Sequence, residues 1–362
     1  MYTGMQGDCG LSRRHGVATQ EEIELVDQAT LHKLAFVQAL LKRKEFAFSG
    51  TREIVRARCL THLDNGELNA DELKSLLESL DLWGNQRIRL LHVPDGALQM
   101  FQDTASVELA IQQAGFTGIY QQEIPLIVEA QVSPISIRYS EVEGVRTLTL
   151  IAGKIQEEWV PVETLPELTY ESVAALLQQA DIPDNNVVFR PFKLQRRKIV
   201  SFAEIDLDSG HGLLSVKSTQ TAGSYKSKFE EFCWAFDPLL CVSNVDTVYL
   251  TKAISRIDDP GLQDHLDLPR QYLRDEQGAR MRMEASSGQG DVRQHPKLRQ
   301  ARACFTGDDS GDYCVCYWNP DGLLTEKVHT CIYGSHGEVA FRGQAGEESI
   351  RYVLQRIRQL NN

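Results

Sequence analysis

Three groups of side chains in this sequence have types and spacings that could carry chemistry. The first is acidic. In FAEIDLD, residues 202–208, strand alternation places Glu204, Asp206 and Asp208 on one face and Ala203, Ile205 and Leu207 on the other. Paired carboxylates can hold Mg²⁺ for phosphoryl transfer, and Lys217 on a return strand could assist a phosphate. The same pattern serves a half-buried hairpin that keeps one face in water. The acidic-x-Lys pairing of a common nuclease core is missing, since Ser215 and Val216 precede Lys217.

The second group is sulfur. Cys314 and Cys316 share a strand face, and with Cys304, Cys331, His329 or His336 they could form a tetrahedral zinc site if hairpins brought them together. A C-x-C pair lacks the two-residue gap of structural zinc knuckles, so buried unligated thiols are the default expectation. The third group is basic. Arg190, Lys193, Arg196, Arg197 and Lys198 put five positive charges into nine residues with no acid among them. Further patches are Lys42, Arg43 and Lys44 with Arg52, Arg56 and Arg58, and Arg293, Lys297, Arg299 and Arg302. Such patches can contact phosphates by charge and hydrogen bonding.

No complete Walker A loop, dinucleotide fingerprint, HExxH, EF-hand loop or GxSxG elbow is present, which leans the reading away from an enzyme. The aromatic residues of 225–236, among them Tyr225, Phe229, Phe232 and Phe236, follow helical periodicity and predict core packing.

The segment LNADELKSLLESLDLWGNQRIRLL, residues 68–91, resembles the SAP-type DNA-binding helix pair, chiefly in ELKSLLESLDLWG followed by a basic stretch. The resemblance implies DNA contact by a second helix, represented here by Arg87 and Arg89. The sequence departs from that pattern at Gln86, where a lysine often follows the glycine turn, and reaches His92-Val93-Pro94 early.

The elements that must position these residues are legible from periodicity. Leu31, Leu34 and Leu41, then Val55, Cys59 and Leu63, recur at helical spacing. Asn69 with Glu72 forms a capping box ahead of Leu73, Leu76, Leu77 and Leu80. Residues 18–92 are therefore expected to form a helical bundle. Asp103–Ala114 predicts a helix. Ile135–Tyr139 and Thr147–Ile151 predict a hairpin around EVEG, with Glu158–Val162 as a further strand and a helix from about 170 to 180. Val187–Phe192, Ile199–Leu207, Leu213–Lys217 and Val245–Leu250 read as strands. Residues 258–298, rich in Gly, Pro, Gln and charge, read as a long loop or connector. Hairpins follow from YCVCYW onward, and Ile350, Val353, Leu354, Ile357 and Leu360 stripe a final helix.

The expected fold class is α+β: an N-terminal helical bundle, then a mixed, largely antiparallel α/β body with a C-terminal helix. The expected division is 18–92, 93–185 and 186–362. A chain of 362 residues is long enough for several cores. Its longest apolar runs fall far short of a membrane span, its N-terminus lacks the apolar stretch of a secretory signal, and its eight cysteines are too sparse for a disulfide scaffold. A net charge of −12 opposes indiscriminate attraction to nucleic acid, so any such contact must be local. The leading expectation is a cytoplasmic, nonenzymatic nucleic-acid-binding or adaptor protein with DNA, RNA or a protein as partner and no membrane partner. The alternatives are a Mg²⁺-dependent nuclease at Glu204 and Asp206, and a protein-interaction scaffold. No cofactor is favoured, with Mg²⁺ or Zn²⁺ as the candidates.

Overall fold

A computed structural model describes residues 18–125, 127–161, 192–217, 225–241, 245–257, 265–275, 277–285, 290–305, 310–324, 326–343 and 345–362. Helices and antiparallel strand pairs coexist among the described residues, so the chain is α+β. By contacts it separates into two compact units. One comprises 1–86, 250–334 and 340–362, and the other 87–249 and 335–339. No helix among the described residues is long and apolar enough to cross a membrane.

The first unit opens with α1 (Gln20–Arg43), α2 (Arg52–Asp64) and α3 (Ala70–Leu82). Capping boxes start two of them: Thr19 with Glu22, and Asn69 with Glu72, each satisfying amide N–H groups that the first turn leaves unpaired. Val26, Val37, Leu41, Val55, Cys59 and Leu73 from the three helices share one apolar core. Each such side chain contributes about 1.5–3 kcal/mol by leaving water.

The same unit holds β7 (Leu266–Arg274), β8 (Arg280–Glu284), β9 (Gly311–Trp318) and β10 (Val328–Tyr333), in the order β10-β9-β7-β8. The segment read as a long loop, 258–298, thus contains β7 and β8, together with the start of a short helix at Pro296–Arg302. Pro269 obscured β7 in the sequence. It sits where the pairing with β9 shifts register, between Asp267 and Arg270, a place where a missing N–H breaks no ladder bond. One face of this sheet is buried through Leu266, Leu273, Cys314, Trp318 and Ile332. Gln271 is fully buried there, and its amide donates to the Ile254 carbonyl at 2.9 Å. The last helix, Glu347–Asn361, buries Ile350, Val353, Leu354 and Ile357, and its Arg351 lies over the Trp83 ring.

The second unit contains most of β1 (Gln86–His92), then β2 (Ser133–Val142), β3 (Val145–Pro161), β4 (Phe192–Asp206), β5 (His211–Lys217) and the two-residue β6 (Asp246–Thr247). The β2–β3 turn places Glu143 and Gly144 at φ 52° and 81°, the positive values that a two-residue hairpin loop demands. The strand pieces at 147–151 and 158–161 are one strand, because pairing with β4 runs unbroken from Thr147–Asp206 to Pro161–Phe192. The expected helix near 170–180 and most of the strand at 187–192 lie outside the described residues. Helix Tyr225–Ala235 packs Phe229 and Phe232 against Ala152, Leu214 and Val216. Strand structure in 245–250 is confined to two residues, and Leu250 instead precedes a helical turn at Thr251–Arg256.

Candidate nucleic-acid interface

Alternation along β7 to β10 sorts side chains onto two faces, and the face opposite the buried one is aromatic and cationic. The pairings Tyr272–Tyr313 and Tyr313–Tyr333 align three tyrosines across adjacent strands. Their ring centroids are 5.1 Å apart at both steps. Four residues further along, past the buried pair Val315–Cys331, Tyr317 stacks on His329 at 4.5 Å. All five rings are half-exposed.

Arginines frame the rings. The β7–β8 register puts Arg270 beside Glu284, Tyr272 beside Arg282, and Arg274 beside Arg280 on this same face. Arg282 lies over the Tyr272 ring at 5.1 Å, and Lys327 over Tyr317 at 5.0 Å. Arg274, Arg280, Arg282 and Arg342 are exposed. Glu284 accepts from Arg282 at 2.8 Å and pairs with Arg270, and the Arg282 bond holds its carboxyl below the usual range. Asp267 is taken by Lys327 at 2.8 Å. The arginines outnumber these carboxylates, so the face is locally positive within an acidic chain.

Burial, then a hydrogen bond with Cys331, pushes the Tyr313 hydroxyl up, so the ring stays neutral. Burial, then the charge of Arg342, pushes His329 down, which keeps its imidazole neutral near pH 7. Neutral planar rings beside guanidinium groups can stack unpaired bases while the cations meet the phosphates.

The basic residues singled out in the sequence go elsewhere. Arg87 and Arg89 lie on β1, so the residues resembling a second SAP helix form a strand. Their alternation, with Ile88 and Leu90 buried, is what a strand requires. Glu338, almost wholly buried, takes both arginines, at 2.9 and 2.7 Å. Their guanidinium groups stack on Tyr225 at 4.3 Å and on Phe229 at 4.1 Å. This is an interior ion triad.

Of the run 190–198, Arg190 lies outside the described residues, and Lys193 is described only in its backbone, on β4. Arg196 and Arg197 are exposed on β4; Arg196 meets Glu157 of β3 at 2.9 Å, and Lys198 donates to the Pro125 carbonyl. Trp159 pairs with Leu194 in register, and both are exposed, as is Phe192.

In the other two patches Lys42, Arg43, Arg52, Lys297 and Arg299 are exposed, and the remaining cations are partnered. Lys44 meets Glu72, Arg56 meets Asp27, and Arg58 donates to the Ser49 carbonyl. Arg293 is buried with Asp291 and donates to the Leu266 carbonyl, while Arg302 donates to that of Ser255.

The acidic trio is not gathered either. Asp206 accepts from the Asp208 and Ser209 amides and the Ser209 hydroxyl, closing the β4–β5 turn. Asp208 is held by Arg146. Glu204 pairs with Leu213, four residues before Lys217 on β5, a separation of about 13 Å at strand rise.

Cys314 and Cys316 have sulfurs 3.6 Å apart on the buried face. Cys331 pairs with Val315 and so lies on the opposite face, while Cys304 is exposed. Among the described residues no three His, Cys, Asp or Glu side chains are grouped to hold a metal. Comparison with known proteins matches the chain to no family model and to no curated protein.

Proposed function

We propose that this chain is a nonenzymatic nucleic-acid-binding protein whose ligand is single-stranded, held on the open face of β7–β10. The observation that carries this reading is the row Tyr272, Tyr313 and Tyr333 framed by Arg274, Arg280, Arg282 and Arg342. A single strand offers unstacked bases to such rings, whereas a duplex keeps its bases paired and presents mainly phosphate. Affinity then comes from stacking and charge together, and specificity for sequence is modest. A reducing compartment such as the cytoplasm suits the seven described cysteines, all of them free thiols.

The test is fluorescence anisotropy of a labelled oligonucleotide of about twelve nucleotides, a length within the usual footprint of one binding fold. Saturable binding to the single strand, tighter than to the matching duplex, is the expected result. No binding at low salt overturns the reading. In that event the exposed strip of Trp159, Phe192 and Leu194 favours the second reading, a protein-interaction scaffold.

A further inference from the structure

The arginines beside the tyrosine row are not spread evenly along it. Tyr272, Arg274, Arg280 and Arg282 stand at the corners of a rectangle, with Tyr272 opposite Arg282 and Arg274 opposite Arg280. Cross-strand partners have Cβ atoms about 5 Å apart, and alternate residues along a strand lie about 7 Å apart. Three guanidinium groups are therefore gathered around one ring. They sit at β8, the edge strand of the sheet among the described residues. At the other end of the row Arg342 hydrogen-bonds to Cys331 and Tyr333.

The corners differ in charge balance. Arg282 shares Glu284 with Arg270. Arg274 and Arg280 are exposed and form no ion pair among the described residues. Like charges directly opposite one another on a sheet cost stability, and an anion between them removes that cost. A diester phosphate inside a strand carries one negative charge, whereas a terminal phosphate monoester carries about two near pH 7. The monoester matches the Arg274–Arg280 pair, and each guanidinium can meet its oxygens with two parallel N–H donors. Position agrees with charge. Past this pair the chain turns at Asp275, whose carboxylate accepts the Ala279 amide at 2.6 Å, so a strand running on over the turn would meet a negative charge.

Building on the single-strand reading above, we infer that the strand is bound by a phosphorylated end. Arg274 and Arg280 hold the terminal phosphate, the first base lies on Tyr272, and Arg282 meets the next phosphate. A 5′ and a 3′ phosphate share this chemistry, and the assay separates them.

The test is competition on the full chain against an internally labelled strand of about twelve nucleotides. The unlabelled competitors have one sequence and differ in their ends: hydroxyl at both, 5′-phosphate, 3′-phosphate, or a closed circle. A phosphorylated strand is expected to compete about tenfold or more better than the hydroxyl-ended one, the worth of a charge-assisted hydrogen bond, and the better arm identifies the end. The circle should match the hydroxyl-ended strand. Replacing Arg274→Gln and Arg280→Gln together should erase the advantage of the phosphorylated end. Arg342→Gln, at the far end of the row, should weaken all four competitors alike and leave that advantage in place. Equal competition by phosphorylated and hydroxyl-ended strands, or an advantage that survives in the folded double variant, overturns end binding and leaves the single-strand reading standing. Failure of every strand to bind sinks both.

Discussion

Replacing Arg274, Arg280 and Arg282 together with glutamine tests the proposed face by a quantity that folding effects cannot imitate. All three are exposed, and they lie on one face of the β7–β8 hairpin. Arg274 stands opposite Arg280, so the change relieves a like-charge contact and removes only a solvent-screened pair at Glu284. The melting temperature should not fall. Each phosphate neutralised on a single strand adds about 0.7 to the slope of log affinity against log salt. Three lost contacts therefore flatten the line by about 2, and at about 0.1 M salt the affinity drops by roughly 100-fold. Toward 1 M the two proteins should converge. Anisotropy titrations at four or more salt concentrations give both slopes. Parallel lines from a folded variant refute the assignment of these arginines to phosphate. The matched variant of Arg196, Arg197 and Lys198 to glutamine probes the β4 run in the same assay. A flattened slope there, with none for the first set, would move the contact surface to β4.

Glu338→Gln should destabilise the second unit by about 3–5 kcal/mol, because Arg87 and Arg89 then remain largely buried beside a neutral amide; a urea midpoint measures it. His329 has a folded pKa below the unfolded value of 6.5, so its contribution to stability is complete above that pH and declines as pH falls through it toward the folded value. His329→Phe keeps a ring against Tyr317, and its melting temperature should fall less between pH 7 and 5 than that of the parent. Alkylation with iodoacetamide, followed by mass spectrometry, should mark Cys241 and Cys304 first. It should spare Cys59, whose thiol burial pushes up to about 11, and Cys314, raised by burial and by its Cys316 neighbour, until the chain unfolds.

Helices were the most legible elements, since a capping box and a 3.6-residue stripe are local signals. Asn69 with Glu72 located α3 to within a residue. The β2–β3 hairpin was equally legible from EVEG, whose last two residues adopt the positive φ of the turn. The tyrosine row was not, because it is made of single residues from three strands, with Tyr272 and Tyr333 separated by the whole of β8 and β9. The signal available was alternation: Arg270, Tyr272 and Arg274 on one strand, Tyr313 and Tyr317 on another. Pro269 and the surrounding glycine and charge masked the first, and the two cysteines drew attention to the buried face of the second.

Density of charge in the sequence located exposed cations such as Arg196, Arg197, Lys42 and Lys297, but it did not separate them from the ones that are partnered. Arginines close in sequence to an apolar strand or helix were drawn onto partners: Arg87 and Arg89 onto Glu338, Arg293 onto Asp291, Arg58 onto a carbonyl. A guanidinium carries five donors, and burying part of it demands that they be met. Arg274 and Arg280 escape this because their strands form an edge hairpin, and the alternation that sinks Leu273 and Met283 turns their side chains outward. The exposed cations are thus a product of topology, placed beside rings that the same alternation exposes. An acidic chain can repel polyanions over most of its surface and still accept one strand there, because screening confines each charge to about 10 Å at ordinary salt. On that length scale a bound phosphate is governed by the arginines of β7 and β8 rather than by the net charge of −12.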